Sequence, residues 1–153
     1  MKKIGIAIAV TLIIIQFIRP DRNIASAKNA NHISNKYSTP ENVALILDKA
    51  CYDCHSNTTR YPWYASIQPV AWWLEHHIEE GKGEINFDEF LTYSPKKAKH
   101  KLEEVNEMVK EKEMPLESYT WMHKEANLTD AERLIIAEWA IETMNAIDLN
   151  KKQ

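Results

Sequence analysis

Both cysteines of this chain lie in one five-residue stretch, Cys51-Tyr52-Asp53-Cys54-His55. Two thiols at this spacing stand near one helical turn, so each can add to one vinyl group of a single porphyrin and end as a thioether. The imidazole that follows at once then lies under the iron and supplies a nitrogen ligand. The stretch therefore reads as the attachment site of one c-type haem, with Cys51 and Cys54 as covalent links and His55 as proximal ligand. Other chemistries also use paired cysteines. A thioredoxin-like redox pair belongs beside a βαβ pattern, which the sequence lacks. A structural zinc needs two further ligands at zinc spacing, and the adjacent His76 and His77 are poor candidates. A plain disulfide, or a pair left reduced in a core, is the remaining alternative.

An iron held by His55 has a sixth position, and its occupant decides much of the chemistry. Met114-Pro115 falls in a predicted loop, where the proline stops the preceding helix and stiffens the approach of a thioether. Met122, His123, His76 and His77 compete for the same role. Met108 and Met144 fall on apolar helix faces and read as core, while Met1 and His32 lie outside the predicted domain. Arg60 is close enough to the motif to bind a haem propionate, since a guanidinium suits carboxylates. The aromatic cluster Tyr61, Trp63, Tyr64, Trp72 and Trp73 is expected to wrap the porphyrin and fill the core.

The elements that must carry these groups read as helical. Thr39 is a predicted N-cap with Pro40 at the first helical position, and Val43, Ile46, Leu47 and Ala50 form one apolar face leading into Cys51. A second helix is predicted from about Pro69 to Glu80, stopped by Gly81. A third follows Ser94-Pro95, with Ala98, Leu102, Val105, Met108 and Val109 at helical spacing until about Lys112. The last opens on the capping box Thr129-Asp130-Ala131-Glu132 and carries Leu134, Ile135, Ile136, Trp139 and Met144. No strand alternation competes.

At the N-terminus, Lys2 and Lys3 precede an apolar run from Ile4 to Ile18, the form of a secretion signal or signal anchor. Ala25-Ser26-Ala27 resembles a cleavage site, although Arg19, Asp21 and Arg22 make a charged approach to it. Fifteen helical residues reach only ~23 Å against a ~30 Å hydrocarbon core, so spanning would need the arginines to snorkel. The expected organisation is a membrane or signal segment at 1–27, a polar tether at 28–38 and one haem domain at 39–150. That domain is expected on the outer, periplasmic side of the cytoplasmic membrane, anchored by its N-terminus or secreted. Beyond residue 27 lie 15 of the 19 basic and 21 of the 22 acidic residues, a formal charge of −6. This argues against nucleic acid and favours redox partner proteins with a basic docking patch.

Further residues carry a likeness to known proteins. Ser56-Asn57-x-Thr59-x-Tyr61-Pro62-Trp63-Tyr64, Ile67-x-Pro69-Val70-x-Trp72-Trp73-Leu74 and His77-Ile78 resemble the haem-binding-domain family of bacterial envelope proteins. Asn86-Phe87, Met114-Pro115-Leu116, Tyr119 and Leu128-Thr129 continue the match over roughly residues 40 to 140. The resemblance implies an all-α, cytochrome c-like domain of four to five helices around one covalent haem, behind an N-terminal helix, with Met114 as distal ligand. Analogy with cytochromes c adds Pro69 as the backbone acceptor for the other nitrogen of His55. The expectation is a single-haem electron carrier with no catalytic residues. A peroxidase-like haem enzyme, a gas or redox sensor and a haem-bearing interaction module are the alternatives.

Overall fold

The computed structural model describes residues 1–25 and 29–150, and over these the chain is all-α. Seven α-helices follow one another: α1 Lys2–Ile15, α2 Glu41–Ala50, α3 Tyr52–His55, α4 Val70–Glu84, α5 Pro95–Lys110, α6 Glu117–Met122 and α7 Asp130–Asn150. The only β pairing among the described residues is an isolated bridge between Ile24 and Thr58.

The helix starts follow local chemistry. The capping box at α7 is closed in both directions, with Glu132 N–H donating to Thr129 Oγ1 at 3.2 Å and Thr129 N–H to Glu132 Oε2 at 2.9 Å. At α5, Ser94 Oγ accepts from Lys97 N–H at 3.3 Å and Pro95 opens the first turn. Thr39 does not cap α2; its hydroxyl donates to the Tyr37 carbonyl, and Pro40 takes the cap position. Gly81 does not stop α4 either. The helix runs on to Glu84, with Ile85 N–H still donating to the Gly81 carbonyl at 3.0 Å. The end of α5 is a Schellman turn, in which Glu113 N–H returns to Met108 O and Lys112 N–H to Val109 O. Lys112 sits at its left-handed position with φ of 64°.

The core forms where α2, α5 and α7 meet the loop residues Phe87 and Phe90. Leu47, Leu102, Ile136 and both phenylalanines are almost wholly shielded from solvent. Each such side chain contributes roughly 1.5–3 kcal/mol by leaving water, and Trp139 keeps its N–H satisfied on the Ser38 carbonyl at 2.9 Å. A smaller cluster of Ala65, Leu74 and Ile78 lies beneath Cys54, Tyr61 and Tyr64.

The N-terminal third departs from the predicted organisation. None of the described helices is long and apolar enough to cross a membrane. The helix α1 has 14 residues, none of them buried, and the predicted membrane anchor is therefore not supported by the fold. The apolar run extends to Ile18, but regular helix ends sooner because Gln16 and Ile18 turn their polar groups onto the domain. The stretch read as a polar tether is partly packed: Ile33 is fully buried, with its N–H on Phe87 O at 3.0 Å, and Asn31 O accepts from Leu91 N–H. Of the cleavage-like Ala25-Ser26-Ala27, Ser26 and Ala27 lie outside the described residues, as does Lys28 at the predicted start of the tether.

Candidate functional site

The C-x-x-C-H motif is a helix too short to hold itself, since nucleation is unfavourable and α3 has four residues. Its surroundings fix it instead. Cys51 N–H donates to Leu47 O at the end of α2, His55 N–H returns to Cys51 O, and the His55 carbonyl accepts from Phe87 N–H, each at 2.9 Å. Against its other side packs α4 at Gly81. A Cβ built there would lie 2.9 Å from the Cys54 carbonyl oxygen and 3.2 Å from Cys54 Cβ, so only glycine admits this approach.

That approach serves the imidazole. His55 Nδ1 lies 2.8 Å from the Gly81 carbonyl oxygen and 3.0 Å from that of Ile85. Both partners only accept, so Nδ1 carries the proton and Nε2 keeps its lone pair for a metal. Burial lowers the His55 pKa and the two carbonyl bonds oppose that shift, which favours the neutral ring. The predicted acceptor Pro69 is thus replaced by Gly81 and Ile85. Pro69 lies at the far end of α4, as its N-cap.

Two adjoining clefts open on this ring. His55, Glu84 and Met114 line both. Cys54 lines the first and Cys51 the second. Both thiols are held neutral: burial first, then the neighbouring Cys54, pushes Cys51 up to about 12, and burial with the Asp53 charge pushes Cys54 up to about 11. Ala50 and Leu116 in the first cleft and Ile85, Phe87, Val105 and Val109 in the second give apolar wall, with Glu80, Glu84, Lys101 and Glu104 among the charged groups.

Met114 is brought to His55 by a group the sequence did not point to. Arg133, buried on α7, donates through one guanidinium nitrogen to the Met114 carbonyl at 2.6 Å and to the Val109 carbonyl at 2.9 Å. The cation thereby ties the methionine loop to the end of α5. Of the competing ligands, His77 lines one cleft and donates Nδ1–H to Trp73 O at 2.8 Å, the same tautomer as His55. His76 is exposed and pairs with Glu80, Met122 is exposed, and His123 stacks on Tyr119 and bonds the Tyr64 hydroxyl at 2.8 Å. Met108, expected in the core, lines the second cleft beside Met114. Met144 packs against the core.

Arg60 lies outside both clefts. Its Nε donates to Asp53 at 2.9 Å, one terminal nitrogen to the Asp48 carboxylate at 2.9 Å and the other to the Asp48 carbonyl. The fork expected to meet a propionate is already engaged by carboxylates of its own chain. The buried Asp53 carboxylate also accepts from the Tyr119 hydroxyl at 2.7 Å, and burial, then this bond, raises the Tyr119 pKa above its ordinary range. Tyr119 reaches the first cleft and so joins it to this polar network. The cation that does line a cleft wall is Lys101, held between Glu84 and Glu104 at 2.7 Å from each.

The donor set fits an iron porphyrin on three observations. A neutral imidazole has its remote nitrogen already satisfied, a thioether lines the same clefts, and each cysteine lines one of the two. Residues 10–142 match the family model described as a haem-binding domain. The chain belongs to that family and is a haem-binding protein. Neither the curated proteins nor the solved structures compared with it give a match.

Proposed function

We propose that this member of the haem-binding-domain family is a single-haem c-type cytochrome of the cell envelope that carries one electron between partner proteins. The observation that carries the reading is the tautomer of His55: with Nδ1–H held by Gly81 O and Ile85 O, the nitrogen left for iron belongs to a ring that shares its clefts with Met114. When bound, the haem supplies an iron that alternates between ferric and ferrous. Cys51 and Cys54 would hold the porphyrin as thioethers, and His55 and Met114 would hold the iron. A thioether ligand favours the ferrous state, and two protein ligands leave no position for peroxide or oxygen, which supports transfer over catalysis.

The remaining residues act on this set without touching an electron. Gly81 and Ile85 orient the imidazole and raise its basicity. Arg133 restrains the Met114 loop. Lys101 lines the cleft wall, where Glu84 and Glu104 hold it as Asp48 and Asp53 hold Arg60. Glu80 and Glu84 line the cleft, and together with the acidic domain they would steer a basic partner toward the haem edge. Location on the periplasmic side is part of the same proposal, because covalent attachment to a C-x-x-C-H site belongs with export.

Two measurements test the reading. Expressed in a host with a cytochrome c maturation system, the denatured protein should retain the mass of one haem. The ferric form should also show the weak far-red sulfur-to-iron band, and Met114→Ala should abolish it and open the iron to carbon monoxide. A denatured mass without haem removes the covalent assignment. An unchanged band in Met114→Ala, or rapid carbon monoxide binding by the untouched ferrous protein, removes the six-coordinate carrier.

A further inference from the structure

In a chain that is 27% charged, residues 61–74 contain no charged side chain. Part of this stretch builds the small cluster under the motif, yet Trp63, Ile67, Val70 and Trp73 remain 74%, 44%, 39% and 46% exposed. Val70 and Trp73 lie three apart on α4 and therefore on one helix face. Large apolar groups left in water over a contiguous chain segment mark a contact surface.

Beside this face the end of α1 is pinned. Gln16 exchanges two hydrogen bonds with the backbone of Gln68, its amide donating to Gln68 O at 3.2 Å and its carbonyl accepting from Gln68 N–H at 2.9 Å. Trp72 Nε1–H donates to Ile18 O at 2.9 Å, and Arg22 donates to Ser66 Oγ at 3.0 Å. The apolar helix, none of whose residues is buried, thus leaves the domain beside its uncharged stretch. Arg19 and Arg22 stand there too, in a segment that holds four basic residues and one acidic one, on a domain that is otherwise acidic.

We propose that the face made by Trp63, Ile67, Val70 and Trp73 lies on a lipid bilayer, alongside an α1 immersed in the same lipid. The chemistry is that of an interface: indole rings at headgroup depth, aliphatic groups below them, and arginines for anionic headgroups. Fourteen helical residues reach only about 21 Å, short of a ~30 Å hydrocarbon core, and the domain's own apolar face adds the contact that α1 alone lacks. A basic redox partner is the weaker occupant here. The face carries no charge with which to steer one, whereas the cleft mouth carries Glu80 and Glu84. Docking of this kind would hold the haem side in a fixed relation to the bilayer. Gly81, whose carbonyl holds His55, lies eight residues beyond Trp73 on the same helix, about 12 Å along its axis. That consequence rests on the cytochrome reading; the lipid contact does not.

The test uses the full-length holoprotein in vesicles of mixed phosphatidylcholine and phosphatidylglycerol, with Ile67→Cys compared against Leu149→Cys, an exposed control on α7. A charged, water-soluble maleimide is added and labelling is followed by peptide mass. Position 67 should react about tenfold more slowly than position 149, and equally so when the protein is diluted in lipid. Equal rates at the two positions would overturn the proposal. Protection that vanishes on dilution would overturn it as well, by showing a second copy on this face. Labelling of Cys51 and Cys54 in the unsubstituted chain would instead count against the thioethers, and the comparison of positions 67 and 149 would still stand.

Discussion

Gly81→Ala and Gly83→Ala, two residues apart on α4, should differ in stability, only the second gaining. Replacing an interior helical glycine by alanine gains about 0.5–1 kcal/mol, because alanine loses less backbone freedom on folding. At Gly83 nothing lies within 4 Å of the new methyl, so that gain should be realised nearly whole. At Gly81 the methyl meets the Cys54 carbonyl oxygen at 2.9 Å and the Cys54 carbonyl carbon at 3.3 Å, backbone atoms of a motif that is bonded on both sides. Forcing such a contact costs typically 1–3 kcal/mol, so Gly81→Ala should be neutral to about 2 kcal/mol less stable than the parent. For a chain of this size that corresponds to a fall of up to several degrees, at roughly 2–4 °C per kcal/mol. The assay is thermal unfolding of the ferric holoprotein, followed by circular dichroism for both variants. The redox titration should change as well. Moving α4 outward lengthens the bond from His55 Nδ1–H to Gly81 O, makes the imidazole a poorer donor to ferric iron and raises the reduction potential. A Gly81→Ala protein as stable as Gly83→Ala, with an unmoved potential, would refute the close approach of α4 and its role in holding His55.

Three further outcomes follow from contacts away from the motif. Arg133→Met should leave the Val109 and Met114 carbonyls without their buried donor, cost about 2–3 kcal/mol in chemical denaturation, and make the far-red band of the ferric protein fade at lower temperature. Glu132→Gln should cost about 1 kcal/mol, since it weakens the capping box and the pairing with Lys49 that hold the carboxyl below its ordinary value of 4.5. The stability tied to this group is present in full above that value and lost as pH falls through the lower folded value. The acid limb of the parent's stability curve should therefore be steeper than the variant's. Lys112→Gly should raise stability by about 1 kcal/mol in the same denaturation assay, because φ of 64° suits glycine, and the exposed pair with Asp130 that is lost contributes little.

The parts of the site that were legible in the sequence are those whose chemistry is local. Cys51, Cys54 and His55 declare themselves by spacing, and Thr129 with Glu132 by a box that closes within one turn. Gly81 shows where local reading stops. As a residue type it signals a helix end, but its position is set by Cys54, 27 places away, and the helix passes through it. Arg60 was read from its nearness to the motif, and its pairing with Asp48 and Asp53 is a contact that nearness does not reveal. Arg133 sits on a helix with no polar pattern to mark it, and only packing shows that its cation faces two carbonyls. Ile33 was hidden in the same way, the one large aliphatic residue in a polar run that the core nevertheless takes up.

The two groups proposed for the iron are therefore positioned by different parts of the fold. His55 is oriented from α4 through the Gly81 and Ile85 carbonyls, while Met114 is tied through Arg133 to α7 and to the end of α5. Among the described residues α5 and α7 form the most extensively packed helix pair, and the methionine loop rides on it. The imidazole depends on a single close approach at a glycine. A disturbance of the α5 and α7 pair should loosen Met114 and leave the thioethers and His55 in place, giving a protein that opens to carbon monoxide without losing haem. A disturbance at Gly81 should act first on His55 and on the potential, with Met114 still held. Finding the two effects always together, in Arg133→Met and Gly81→Ala alike, would mean that α4 and α7 move as one body and that the ligands are not independently held.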